Sequence, residues 1–460
     1  MRRKRCGSSA APPPRRRKPT GPSTHDWGTH DWGTHDWARM TGWSRRRLLG
    51  AALVAATAPL AVPPLVSKAR AAGEWPFRRG VNAWPWFALT REFPAPRTDY
   101  DWPPFQSQRP VPTPADLARL RASGLDFIRL PVDPGPFLAA DAGRRGDLMA
   151  MLGAAVEAAL AADLGVIVNV QANGATHYWN PERMVSSTGA PEFARYRAFV
   201  ADVAGMLKDM APSRVALEPV NEPPQDCTSE VWPKVQAALL TTARGSAKDL
   251  PLLTTGGCGS MVRGLTALDP APLAEFEPIL FTFHFYEPYL FSHQGAPWMG
   301  EPVYRALNNV PWPASAGSLE QTLASVRARM ADDTERSDEA KKAAYEETEK
   351  VLKVYFDAQP DRRFIDGYLA QVSDWADGHG IAPGRIIMGE FGALRTDARY
   401  TAAPNPDRAR YIADVRQCAE AAGFPWAFWD LFDGMGMMDD ITRALDPAMV
   451  EALGLTMPPT

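Results

Sequence analysis

Two glutamates in this 460-residue chain stand where apolar runs stop. Glu222 closes the stretch Arg214-Val215-Ala216-Leu217-Glu218-Pro219-Val220-Asn221-Glu222-Pro223. Val and Leu favour a strand interior. Pro223 cannot extend the strand, because it donates no backbone hydrogen bond and restricts the residue before it. Glu390 closes a second run, Arg385-Ile386-Ile387-Met388-Gly389-Glu390. The ends of other apolar runs supply Asn82, Arg129, Gln171, Asn221, His284 with Tyr286, and Trp429. Two carboxylates flanking one bond are the equipment of glycoside hydrolysis. One must be protonated to release the leaving group, and the other must be ionised to attack or to activate water. Arg129 and Tyr286 could hold one of them ionised by charge and hydrogen bonding. Trp429 could form the floor under a sugar ring, with Trp84, Trp86, Trp179 and Trp298 on candidate loops at the same rim.

Such residues need elements to converge them. The apolar runs 79–83, 126–131, 165–170, 214–220, 251–255, 279–286, 385–390 and 425–429 read as eight strands. Between several of them lie helical patterns, at 114–123 (Thr113 as N-cap, Pro114 first), 147–163, 191–208 and 231–246. Near-continuous apolar strands alternating with helices indicate a parallel sheet covered on both faces. Eight units predict an α/β fold, a (β/α)8 TIM barrel, with active residues at the C-terminal ends of the strands. An open doubly wound sheet is the alternative, but no G-x-G-x-x-G or Walker-type loop occurs. The long insertion between strands six and seven is rich in Pro and aromatics over 288–312 and charged and helical over 318–356, with a further helix over 363–378. It reads as an elaboration of the barrel, and its charges as a solvated helix face.

Plainer readings stand beside the chemical ones. Arg129 could be a barrel salt-bridge partner, His284 a satisfied core histidine and Trp429 packing. Glu218 is expected to be structural, His293 and His379 to lie at the surface, and Asp430 and Asp433 to flank the site without a role.

The formal net charge of -3 hides an asymmetry. Residues 1–71 carry 14 Lys and Arg against 3 Asp and Glu, so residues 72–460 are acidic, with a net of -14. An acidic folded part argues against a nucleic-acid partner. Residues 1–43, with three copies of Thr-His-Asp-Trp, read as a low-complexity leader, and Met40 as an alternative start. Residues 44–71 combine Ser44-Arg45-Arg46-Arg47, an apolar run broken by Pro59, Pro63 and Pro64, and Ala69-Arg70-Ala71. That is the layout of a cleaved twin-arginine-like signal rather than a membrane span. The expectation is a periplasmic or secreted protein, free of the membrane after cleavage and monomeric, whose catalytic domain fills 72–460. Cys227, Cys258 and Cys418 remain beyond the leader, without metal-ligand spacing. Cys227 and Cys258 are either bridged or two unpaired small core residues.

Five motifs together resemble glycoside hydrolase family 5, the cellulase family of retaining barrel glycosidases. They are Phe127-Ile128-Arg129-Leu130-Pro131, Asn221-Glu222-Pro223, His284-Phe285-Tyr286, Met388-Gly389-Glu390-Phe391-Gly392 and Phe428-Trp429-Asp430, over roughly residues 75–440. The resemblance implies that Glu222 is the general acid/base and Glu390 the nucleophile, with no cofactor and no metal. It implies that Asn221 binds the sugar 2-hydroxyl, that Arg129 and Tyr286 orient Glu390, that His284 lies near the acid/base and that Trp429 stacks on the sugar. Asn82 and Trp84 join them as substrate contacts. Gln171 departs from the family, which usually has histidine there, and His177 could reach the site from the following loop. Substrate is therefore read as a carbohydrate with a β-glucanase default, mannan or a bacterial exopolysaccharide being alternatives. A non-catalytic carbohydrate-binding barrel and a metal-dependent hydrolase are the rival functions.

Overall fold

A computed structural model describes residues 75–458, apart from 212, 300 and 301. The leader and the signal segment expected over residues 1–71 lie outside the described residues. Among those described, no helix is long and apolar enough to cross a membrane.

Eight parallel strands close into a barrel. We label them β1 (Arg79–Asn82), β2 (Phe127–Val132), β3 (Gly165–Val170), β4 (Val215–Glu218), β5 (Leu252–Thr254), β6 (Ile279–Phe285), β7 (Ile386–Phe391) and β8 (Trp426–Phe428). Each differs from the expected run by a few residues at most. The open-sheet alternative is ruled out by closure, since β1 pairs with both β2 and β8.

Side chains alternate across each strand. One set, including Val166, Val168, Leu217 and Phe283, faces the helices and joins the large outer core. The other faces the barrel axis. Phe127, Ile167, Ala216, Leu253, Leu280, Ile387 and Ala427 form an apolar inner floor closed from below by Phe77. Two residues further along the strands the period puts Arg129, Asn169, Glu218 and Thr282 over that floor, and two further still His284.

On β7 the alternation alone would fail. Ile387 faces inward, so Gly389 should also do so and Glu390 should face out. The register slips here against both neighbours: Phe283 pairs with Met388 but His284 with Glu390, and Trp426 pairs with Met388 but Phe428 with Phe391. The bulge re-aims Glu390 into the barrel. It requires glycine, because a Cβ at Gly389 would stand 2.5 Å from Thr282 Oγ1.

The helix Pro114–Ser123 starts as expected, with Thr113 and Asp116 forming a capping box. The alanine-rich helix instead runs Ala142–Ala161, because Asp141 caps it at the backbone N–H of Arg144. The charged insertion divides into Leu319–Asp332 and Asp338–Ala358, each opened by a serine cap, Ser318 and Ser337. Its apolar cluster is shared with Leu394 and Met435 from barrel loops, so it elaborates the barrel as expected. The antiparallel pair Thr90–Glu92 and Tyr100–Phe105 and the helix Asn405–Ala421 carried no expectation.

Candidate active site

Arg129 is the hub at the barrel's C-terminal mouth. It is fully buried, and its guanidinium donates from Nε and Nη2 to the two oxygens of Glu218 at 2.7 and 2.9 Å. Nη1 donates to Glu390 Oε1 at 2.7 Å and to Asn82 Oδ1 at 2.8 Å. Nη2 also donates to Asn221 Oδ1 at 2.7 Å. Every donor thus has a partner, as an interior guanidinium requires. Burial works against the cation, but the carboxylates of Glu218 and Glu390 outweigh it and raise its pKa. Arg129 therefore makes the barrel salt bridge with Glu218 and pairs with Glu390 as well.

Glu390 takes a second hydrogen bond at Oε2, from the Tyr286 hydroxyl at 2.9 Å. Burial pushes its pKa up to about 7, while Arg129 and Tyr286 pull it back. Glu222 sits differently. Its Oε1 lies 2.8 Å from His284 Nδ1, and Oε2 is buried without a partner. Burial and then the charge of Glu390 push its pKa well up. Burial and then Arg129 push His284 well down, so the imidazole is neutral. Its Nε2 faces Arg129 Nη2 at 3.5 Å, and a guanidinium can only donate. The lone pair therefore belongs on Nε2, and Nδ1–H donates to Glu222. Between the two carboxyls, the proton stays on Glu222 and the charge on Glu390, where a cation and a hydroxyl stabilise it.

Carboxylate oxygens of Glu222 and Glu390 approach within 4.8 Å. Retaining glycosidases space their carboxyls ~5–5.5 Å apart and inverting ones about 6.5–9.5 Å, to admit a water between them. Glu222, His284 and Glu390 are also the one grouping of three such donors among the described residues that could reach a metal ion. Their chemistry is wrong for it: Nδ1 of His284 is engaged with Glu222, both Glu390 oxygens accept hydrogen bonds, and Arg129 already supplies a cation 2.7 Å from Glu390.

Asn221, next to Glu222 in the chain, uses Oδ1 on Arg129. Trp429 lies tilted against Trp84, with ring centroids 5.4 Å apart, so the two form one aromatic wall. Gln171 lies at the end of β3 with its Oε1 buried and unpartnered.

Other residues lie behind the site or away from it. Asn82 touches the site only through Arg129. It is fully buried, and Nδ2 donates to the carbonyls of Gly389, Ala427 and Phe428, so it positions Arg129 and the β7 bulge. His177 makes no contact with either glutamate. Its Nδ1 is 3.0 Å from Glu92, on the unexpected antiparallel pair, and its Nε2 2.8 Å from the Arg97 carbonyl in the connection between those strands. Trp86 and Trp179 are buried, and Trp179 spends its N–H on the Thr98 carbonyl. His293, expected at the surface, is buried and stacked on Tyr289 at 4.7 Å, with Ser292 Oγ at 2.9 Å from its Nδ1. The aromatic insertion covers it, which hydropathy around one histidine cannot show. His379 is exposed as expected. Cys227 and Cys258 form a disulfide, and Cys418 is free and buried.

A model of the cellulase family, glycosyl hydrolase family 5, matches residues 92–434. The chain is 23% identical over 173 residues to an endoglucanase of Fibrobacter succinogenes, a match that spans 37% of this chain and 23% of that protein. Similar solved structures include the cellulose synthase subunit Z of Clostridioides difficile (18% identity, TM-score 0.58, covering 82% of this chain and 99% of that one). An endoglucanase of Thermotoga maritima matches with 18% identity and a TM-score of 0.57 over 82% of this chain and 96% of its own. A Bacteroides ovatus xyloglucanase bound to a heptasaccharide matches with 18% identity and a TM-score of 0.57, over 82% and 74%.

Proposed function

Because the chain belongs to glycosyl hydrolase family 5, we propose that it is an exported retaining glycosidase that cleaves β-glycosidic bonds in a polysaccharide or oligosaccharide. β-Glucan is the substrate we assign first, with mannan and bacterial exopolysaccharide next. The observation that carries the reading is the asymmetry of the two carboxyls. Glu390 is held by Arg129 and Tyr286, while Glu222, within 4.8 Å, has a neutral histidine and one free oxygen.

In the first step a Glu390 oxygen attacks the anomeric carbon, and a carbon–oxygen ester bond forms. The glycosidic bond breaks, and the proton on Glu222 passes to the departing oxygen. In the second step Glu222, now ionised, takes a proton from water as its oxygen attacks the anomeric carbon. The ester bond breaks and Glu390 leaves as a carboxylate. Tyr286 and Arg129 stabilise that carboxylate, and Trp429 with Trp84 offers the stacking wall. The endoglucanase and xyloglucanase relatives support β-glucan as the first substrate. The Cys227–Cys258 bridge supports an oxidising compartment, and with it export.

The test is a panel of glucans, mannans and xylans, with the anomer of the first product read by NMR. Retention on a β-linked glycan is expected. Failure on every glycan would sink the hydrolase reading, and inversion would sink the double displacement. Amino-terminal sequencing of protein recovered outside the cytoplasm tests export, with cleavage near Ala71 expected.

A further inference from the structure

Glu222 has only one side-chain tether, so its placement depends on the backbone of its loop. That loop, from Asn221 to Cys227, is strapped to the loop that follows β5. Cys227 and Cys258 are bridged across 31 residues. Beside the bridge the Cys258 N–H donates to the Gln225 carbonyl at 2.6 Å and the Gly259 N–H to that of Pro223 at 3.0 Å. The backbones pack flush, since a Cβ at Gly257 would come within 2.7 Å of the Asp226 carbonyl oxygen. The Ser260 carbonyl then accepts from the His284 N–H at 2.8 Å, and His284 Nδ1 returns to Glu222. The connection closes on itself, from Glu222 through the bridge and Ser260 to His284 and back.

Three residues with side chains hold the left-handed backbone within this ring: Glu222 at φ 42°, Cys258 at 47° and Ser260 at 60°. Such conformations persist where the surroundings over-determine them. Glu390, by contrast, sits on a barrel strand and needs no strap. A cavity of about 390 Å³ reaches the bridge, lined by Cys227, Trp232, Gly256, Gly257 and Phe276, so a small thiol or phosphine has a route to it.

We propose that the Cys227–Cys258 bridge is a positioning element for Glu222, so that reducing it selectively slows proton transfer to the leaving group. The proposal rests on the acid/base reading of Glu222. No oxidant is required in turnover, and the bridge itself takes no part in the chemistry.

The experiment compares oxidised enzyme, enzyme reduced with a phosphine, and the C227S/C258S variant on aryl β-cellobiosides and β-mannobiosides. A 2,4-dinitrophenyl group leaves without a proton, whereas cleavage of cello- or manno-oligosaccharides needs one. On the oligosaccharides kcat/KM should fall about 10- to 100-fold, the scale of a misplaced rather than a missing general acid. On the dinitrophenyl glycosides kcat/KM should stay within about twofold, and azide should restore kcat, since an anionic nucleophile needs no base. Trapping with a 2-deoxy-2-fluoro glycoside counts competent nucleophiles, so any unfolded fraction is corrected for. Equal losses on both substrate types, or none on either, would overturn the proposal. No cleavage of any dinitrophenyl glycoside by the oxidised enzyme would instead bring down the glycosidase reading, and the proposal with it.

Discussion

The ends of β4 and β7 present the same side chain in opposite states. At β7 the carboxyl is enclosed: Arg129 and Tyr286 take its oxygens, and Glu218 and Asn82 hold Arg129 still. At β4 the carboxyl stands beyond the strand, on a left-handed residue, with neutral His284 as its one partner. Glu390 is buried and Glu222 is largely so, and burial alone raises both pKa values. What separates them is the donor set, a cation and a hydroxyl against an imidazole N–H. Two identical side chains differ in protonation because one barrel wall offers charge and the other does not.

The contrast can be broken from either side. The largest effect is expected from Glu390→Ala, with turnover falling on the order of 10⁶-fold, as when a covalent nucleophile is removed. Azide added to this variant should yield a glycosyl azide of inverted configuration. A variant that kept substantial turnover would show the nucleophile to be elsewhere.

Glu222→Gln should cost about 10²- to 10⁴-fold on unactivated glycosides. The alkaline limb of its kcat/KM profile should disappear, because that limb is the loss of the Glu222 proton. Persistence of the limb would assign the acid to another group.

Arg129→Met tests the other wall. It leaves Glu218 and Glu390 buried without their cation, a loss of about 3–5 kcal/mol in unfolding experiments. With burial unopposed, the pKa of Glu390 should rise further, and the acid limb of the activity profile should move to higher pH. An unmoved acid limb would mean that Arg129 does not hold Glu390 ionised.

The smallest effect concerns stability and pH. Folding raises the pKa of both glutamates, so the native state binds more protons than the unfolded chain above the ordinary carboxyl range. Stability therefore falls as pH rises through that window, up to about 7 for Glu390. Glu222→Gln removes one of the two groups. Its melting temperature should exceed the wild type's at neutral and alkaline pH, and the gain should vanish below the ordinary carboxyl pKa. A gain independent of pH would mean that packing, not charge, is responsible.

Much of this was legible in the chain. Apolar runs and turn residues marked all eight strands, and His284 with Tyr286 stood at the end of the sixth. Thr113 and Pro114 marked a helix start that the capping box explains. Other features had no local signal. Asn82 reads like any strand-end amide, yet its partners are Arg129, 47 residues away, and the carbonyls of β7 and β8. His293 reads as polar and exposed because the aromatic rings that cover it belong to an insertion whose packing no periodicity describes. The pair Thr90–Glu92 and Tyr100–Phe105 is short, irregular and rich in proline, so alternation could not mark it, and it is this pair that takes His177 away from the cleft.

The sequence by itself determined the barrel, because a period of two and a series of eight are properties of neighbours along the chain. It determined that Glu222 follows the fourth strand and that Glu390 lies at the end of the seventh, for the same reason. Which of them keeps its proton was decided only by tertiary structure. Arg129 reaches Glu218 across 89 residues and Glu390 across 261, and the bulge at Gly389 turns Glu390 toward it. A pKa is set by charge and burial within a few ångströms, and those distances exist only once the barrel has closed.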